Sequence, residues 1–488
     1  MIESNSRLVL STLLMYWAGP LMTQTPACHA RSPESIDIGS RLEPFVDRHL
    51  IDRLDGTRLV LHAPHDEGPV LKFDLPWEGP FCGYCTVIKD DEKYRFYYRG
   101  LPAASRNGSS REVTCYAESP DGIHLTKPDL GLFTVSGSNS NNVVLANAAP
   151  VNHNFSPFLD TRPNVTKDRR FKALGGTKKS GLIAYASPDG IHWMKLQEEP
   201  VFTEGAFDSQ NVSFFSEHEQ CYVCYFRTWG GGVRSISRTT SKDFVHWSDP
   251  VAMTFGDTPR EHLYTNQTHP YFRAPHIYVA VAARFLPGRQ ILTAEQANEL
   301  KVNPDYFKDC SDAVLMTSRG GNAYDRTFLE GFIRPGLGLQ NWVSRSNYPA
   351  LNVVQTGPAE MSVYVQHDYA QPTAHLRRYC LRLDGFASIW APYQGGTMTT
   401  KAFTFTGKHL LLNFATSAPG CVKVEIQDTD GKPIPRYSLR EARELIGNYV
   451  DHAASWQHGT DVSSLSGRPI RLHFVMKDAN LYSLRFRP

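Results

Sequence analysis

The heptapeptide Ser187-Pro188-Asp189-Gly190-Ile191-His192-Trp193 limits what this chain can fold into more than any other stretch, because degraded copies of it recur. Ser119-Pro120-Asp121-Gly122-Ile123-His124 precedes it and Ser241-Lys242-Asp243-Phe244-Val245-His246-Trp247 follows. Residues 317–324, Thr-Ser-Arg-Gly-Gly-Asn-Ala-Tyr, form a weaker fourth copy, and residues 381–386, Leu-Arg-Leu-Asp-Gly-Phe, a fifth. Each copy ends an alternating strand, as over 181–186, and supplies the Asp-Gly chemistry of a tight turn into another strand. Asp121, Asp189 and Asp243 satisfy their own turn amides and read as structural. Hairpins about 55 to 75 residues apart are too widely spaced for a solenoid and suit four-stranded blades with long loops. The expectation is an all-β chain whose body is a five-bladed β-propeller, its early strands completing the last blade so that the ring closes.

A chain of 488 residues outgrows one small core, so a second domain is expected. After Ile389 the texture changes. Gly395-Gly396 reads as a linker, and short strands then recur in the manner of a β-sandwich. The expected division is a leader over 31–43, the propeller over 44–394 and the sandwich over 395–488. Ser438-Leu439-Arg440-Glu441 reads as a capping box opening a short helix, and Thr293–Leu300 is the best helical stretch of the body.

At the N-terminus, Arg7, the apolar run Leu8–Met22 and Ala27-Cys28-His29-Ala30 read as a secretory signal peptide over 1–30, cleaved after Ala30. A lipidated Cys28 is the weaker alternative, since Thr25 and Pro26 fit that signal poorly. Gly19-Pro20 interrupts the run, which is short for a membrane span, and no other segment suffices, so a secreted or periplasmic protein is expected. The net charge of +2 gives no field that would favour nucleic acid or an anionic membrane. Removing Cys28 with the signal leaves eight of nine cysteines. Cys82/Cys85 and Cys221/Cys224 have zinc-knuckle spacing but lie in strands, where positions three apart face opposite ways. They read as buried small side chains or as one or two disulfides, not as metal ligands. No cofactor is required, while a structural Ca2+ stays open.

In such a ring the inner strand of every blade faces the axis, so chemistry belongs at the ends of those strands. One acid stands at each such place: Glu78, Asp160, Asp208 and Glu261. Cleaving a glycosidic bond needs one carboxyl group protonated and another ionised, and carboxyls crowded in one funnel would push each other's pKa apart. Arg162, Arg227 and Arg273 are placed to grip a carboxylate or sulfate. Asn211 belongs to a polar cluster beside Asp208, His153, His262 and His269 suit hydroxyls, and Trp77, Trp229 and Tyr264 suit a sugar face.

The hairpins, the single acids on successive blades and the appended strands together resemble the five-bladed propeller glycoside hydrolases, the invertase/levanase and arabinanase/xylosidase groups of families 32 and 43, over roughly residues 44–488. The resemblance implies a glycosidase acting on a poly- or oligosaccharide. By position it places Glu78 as nucleophile or base, Asp160 as transition-state stabiliser and Asp208 as general acid, with Glu261 competing for that last role. The Trp-Met-Asn-Asp-Pro-Asn, Arg-Asp-Pro and Glu-Cys motifs of the invertase-like branch are all altered here, which leaves the sugar and the general acid open. Two alternatives stand beside this reading: a non-catalytic carbohydrate-binding propeller, and a sialidase-like enzyme, against which five repeats rather than six count.

Overall fold

The computed structural model describes residues 35–91 and 93–488; the expected signal peptide, with Cys28, lies outside the described residues. The recurring turn folds as its chemistry requires. Ser119 Oγ accepts the amides of Asp121 and Gly122 at 3.3 and 2.8 Å, Asp121 Oδ1 accepts those of Ile123 and His124 at 2.8 Å, and Asp121 Oδ2 lies 2.7 Å from His124 Nδ1. The same bonds recur at Ser187–His192 and Ser241–His246. Burial would raise the Asp189 carboxyl, but the amide and ring of His192 outweigh it and hold the group down at about 2.

The turn's fourth residue has positive φ: 77° at Gly122, 76° at Gly190 and 71° at Phe244. The two glycines are also required by their neighbours. Tyr364 donates to Gly122 O at 2.5 Å and Tyr97 to Gly190 O at 2.9 Å, and a Cβ at either glycine would stand within 2.8 Å of that hydroxyl. Each tyrosine belongs to the adjacent blade, so the turns rivet the ring together. At Phe244 an aromatic contact with Phe158 of the preceding blade takes the place of the hydroxyl.

Five antiparallel sheets make the propeller. Their inner strands are Gly83–Asp90, Ser156–Leu159, Val212–Ser216, the interrupted pair His262–Thr265 and Thr268–Tyr271, and the pair Tyr348–Pro349 and Val354–Gln355. Because blades pack face to face, their strands are buried on both sides, and Cys221–Phe226 is buried at every position rather than alternating. Each large apolar side chain so buried contributes about 1.5–3 kcal/mol. The fifth blade takes its outer strand, His65–Lys72, from the start of the chain, pairing it with His375–Arg382, and Val87 donates to Leu351 O at 3.0 Å, tying that blade to the first.

The flanking segments share one eight-stranded sheet. Its spine is the pairing of His409–Gln427 with Arg471–Arg487, broken by a bulge between Thr416 and Cys421. Ile51–Asp55, Arg58–Leu61 and Glu43–Pro44 join this sheet, so the early strands, other than His65–Lys72, belong with the C-terminal residues rather than with the ring. Phe45, Met398, Phe474, Trp456 and Phe486 form its core. The two weak turn copies dock the domains. Arg319 reaches Glu43 at 2.9 Å and Asp47 at 2.8 Å, and Asp384, fully buried, accepts from Tyr271, Asn413 and Ser483. The helical stretch expected over 293–300 is the helix Ala294–Glu299, capped by Thr293. Ser438 and Glu441 bond to each other, but they close a turn and open no helix. No helix among the described residues is long and apolar enough to cross a membrane.

Candidate functional site

The inner strands run in one sense around the axis, as the parallel bridge between Thr86 and Leu351 shows. Their first residues therefore gather at one mouth of the ring, here called the upper, and their last residues at the lower.

Arginine and tyrosine dominate the upper mouth. The guanidinium carbons of Arg227, Arg234 and Arg345 stand 4.8, 5.1 and 5.6 Å from the centre of the Tyr264 ring. Arg227 pairs with Asp208, whose side chain is 37 % exposed while that of Arg227 is 4 % exposed. Tyr84 donates to the carbonyl of Asp208 at 2.9 Å, spanning blades one and three. Arg99 lies 4.8 Å from the Tyr84 ring and donates to Phe81 O and to the Tyr369 hydroxyl at 3.0 and 3.2 Å. Beside it, His153 Nδ1 lies 2.8 Å from Glu112 Oε1, and both residues are buried. Burial lowers the His153 pKa, with Arg99 adding to the effect against Glu112, which favours the neutral imidazole, and its Nε2 has no partner. Burial would raise the Tyr264 phenol, but Arg345 and Arg227 overcome it and hold the group at about 8. Below this layer Gln210 donates to Thr86 Oγ1 at 2.8 Å, and Gln267 to Gln210 and to Pro349 O, both at 2.7 Å, so a polar plug from four blades closes the axis.

Of the acids expected to share the funnel, only Asp208 is in it. Glu78 is fully buried in blade one, accepting from the Leu75 amide, Tyr98 and Lys127 at 3.0, 2.5 and 2.7 Å. Asp160 closes the far end of its inner strand, paired with Lys172 and accepting from Tyr222 at 2.6 Å. Glu261 is spent on Arg284 and Arg326 at 2.7 and 2.6 Å. No two of the four share a partner, and in each of the three other cases a nearby cation or hydroxyl engages the carboxylate.

The binding candidates divide in the same way. Arg227 is at the mouth, and His262 stands on its rim, its Nδ1 accepting from the Arg234 amide at 3.2 Å, with Trp229, 59 % exposed, against its ring. Trp77 is a core residue bonded to Asn142, and Asn211 is buried with its amide on Ser209 O. Arg162 lies over Tyr222 beside Asp160, away from the mouth. Arg273 bridges to Asp384 and Asp451 at the domain interface. The residues missed are Arg99, Arg234, Arg345, Tyr84, Glu112 and Tyr348. A signal for part of this set was present: Tyr98-Arg99 and Phe226-Arg227 both place an aromatic residue followed by arginine in the upper half of a blade's second strand.

At the lower mouth a cavity of about 340 Å3 is lined by Val87, Phe158, Phe214, Leu351 and Val353, with Glu217 on its edge. It has volume but little chemistry. Cys82, Cys85, Cys221 and Cys224 are buried free thiols, so the disulfide option is not taken up, and burial pushes Cys224 up to about 12.

No family model and no curated protein match the chain. It is similar to several solved structures at low identity. The catalytic domain of the Coprinopsis cinerea GH62 alpha-L-arabinofuranosidase shares 10 % identity, with 66 % of this chain and 97 % of that one covered and a TM-score of 0.40. A fructofuranosidase from Schwanniomyces occidentalis complexed with fructosylnystose shares 10 %, covering 87 % and 98 %, with a TM-score of 0.36. An N-acetylgalactosamine deacetylase from F. plautii in complex with blood group B trisaccharide shares 12 %, covering 67 % and 96 %, with a TM-score of 0.42. At such distances no residue role is carried over from them.

Proposed function

We propose that this chain is an exported glycoside hydrolase that cleaves a poly- or oligosaccharide at the upper mouth of its propeller. The observation that carries the reading is the pairing of Asp208 with Arg227 where the inner strands begin, beside Tyr264. Asp208 is the ionised carboxylate of the reaction, facing the anomeric carbon as nucleophile or as base to a water. Tyr264, a phenol held at about 8, is still protonated at neutral pH and gives its proton to the leaving oxygen. Arg227 and Arg345 then stabilise the phenolate. The second carboxyl of the mouth, Glu112, acts through His153 rather than on the sugar directly.

The test is product release from a panel of glycans by the wild type, Asp208→Asn and Asp160→Asn. Turnover by the wild type, a loss of about 10²–10⁴-fold in Asp208→Asn and retention in folded Asp160→Asn are expected. Glycan binding without product release over days would favour a non-catalytic propeller instead.

A further inference from the structure

Two kinds of arginine stand near the upper mouth. Arg284 stands near the end of the second strand of blade four, as Arg99 and Arg227 do in theirs, and it is saturated: Nε and Nη2 bond to Asp312 at 2.8 and 2.6 Å, and Nη1 to Glu261 at 2.7 Å. Arg227 is different. Its Nη2 faces Asp208, while its Nε and Nη1 are buried without a partner. Arg345, half-buried, has no side-chain hydrogen bond among the described residues, and Arg234 has a buried unpartnered Nε and a single long contact, 3.4 Å, to His262.

The rings of Tyr264, Tyr306 and Trp229 support these cations from their faces. A ring face does not accept the in-plane N–H groups, however, and a buried donor left without an acceptor is costly. Four guanidiniums, Arg99, Arg227, Arg234 and Arg345, are set against three carboxylates at this end of the ring, Asp208, Glu112 and the buried Asp368 that follows the second strand of blade five. The mouth carries an excess of positive charge.

We propose that the upper mouth binds a negatively charged sugar, its carboxylate or ester sulfate oxygens accepting from the open guanidinium nitrogens of Arg227, Arg234 and Arg345. A planar fork of N–H donors suits such an oxyanion, and Asp208 on the other side of Arg227 is left to face the neutral part of the ring. The inference rests on reading the mouth as a glycan site, but it is tested by binding alone.

Free sugars have no glycosidic bond to cleave, so calorimetry with glucuronate, galacturonate, glucose 6-sulfate and glucose is independent of turnover. At least one acidic sugar is expected to bind about tenfold or more tightly than glucose, and more weakly as salt rises from about 0.05 to 0.5 M. Preference for the uronates would identify a carboxylate site, and preference for the sulfate ester a sulfate site. Arg345→Gln is expected to lower that affinity about tenfold or more, and Arg345→Lys to recover part of it. Arg273→Gln, at the domain interface, should change nothing. Glucose binding as tightly as the acidic sugars, no binding of any acidic sugar, or unchanged affinity in folded Arg345→Gln each overturns the proposal, whether or not the chain hydrolyses a glycan.

Discussion

The two mouths of the ring are built from opposite ends of the same inner strands, yet they have little in common. The lower one is a cavity of about 340 Å3 lined mostly by apolar side chains. The upper one collects Arg227, Arg234 and Arg345 around Tyr264, with Asp208 at its edge. Inside a blade, side chains must satisfy two packed faces and become apolar. Where the strands begin, loops from several blades converge and bring Arg227, Arg234 and Arg345 together around Tyr264. Shape alone points to the lower mouth, and chemistry points to the upper.

The contrast is sharpest in function. Asp208→Asn at the upper mouth should cost about 10³-fold in turnover per folded molecule. Next in size is the reverse case at the far end. Asp160→Asn leaves Lys172 buried and unpaired, so an unfolding free energy lower by about 3 kcal/mol is expected, with turnover per folded molecule unchanged. Equal activity losses in the two variants would break the comparison.

A smaller effect concerns pH. Tyr264 faces Arg227, Arg234, Arg345 and the phenols of Tyr84, Tyr348 and Tyr369. As pH rises through about 8 it becomes a phenolate, which removes the proton donor and cancels one positive charge, so activity and affinity for an acidic sugar should both fall, the latter up to about tenfold. A phenol lowered from 10 stabilises the folded state increasingly between pH 8 and 10 and loses that contribution as pH falls through 8. The melting temperature should therefore hold or rise while activity drops, and Tyr264→Phe should flatten the affinity profile. The smallest effect is at the lower mouth. Glu217→Gln is exposed there and should alter stability by less than about 0.5 kcal/mol and turnover not at all.

The ring was legible in the sequence because its marker is local. Ser, Asp and the residue at positive φ satisfy one another within six positions, so the turn is written where it folds. The weak copies were harder to read because Arg319 and Asp384 serve the domain interface instead of a solvent turn. The acids misled because what decides their role lies far away in the chain: Lys127 for Glu78, Tyr222 for Asp160 and Arg326 for Glu261. A carboxylate at a strand end is the same letter whether a lysine buries it or a funnel exposes it. Of the arginine cluster only Arg227 was read from the sequence, because its members come from second and third strands and from a loop before blade five.

The most direct measurement is a crystal structure of the Asp208→Asn protein with an acidic oligosaccharide. The account predicts the sugar in the upper mouth, its charged group within hydrogen-bonding distance of Arg227, Arg234 or Arg345 and a ring beside residue 208. Sugar bound at the lower mouth, or in the upper mouth with its charged group turned away from all three arginines, would contradict it.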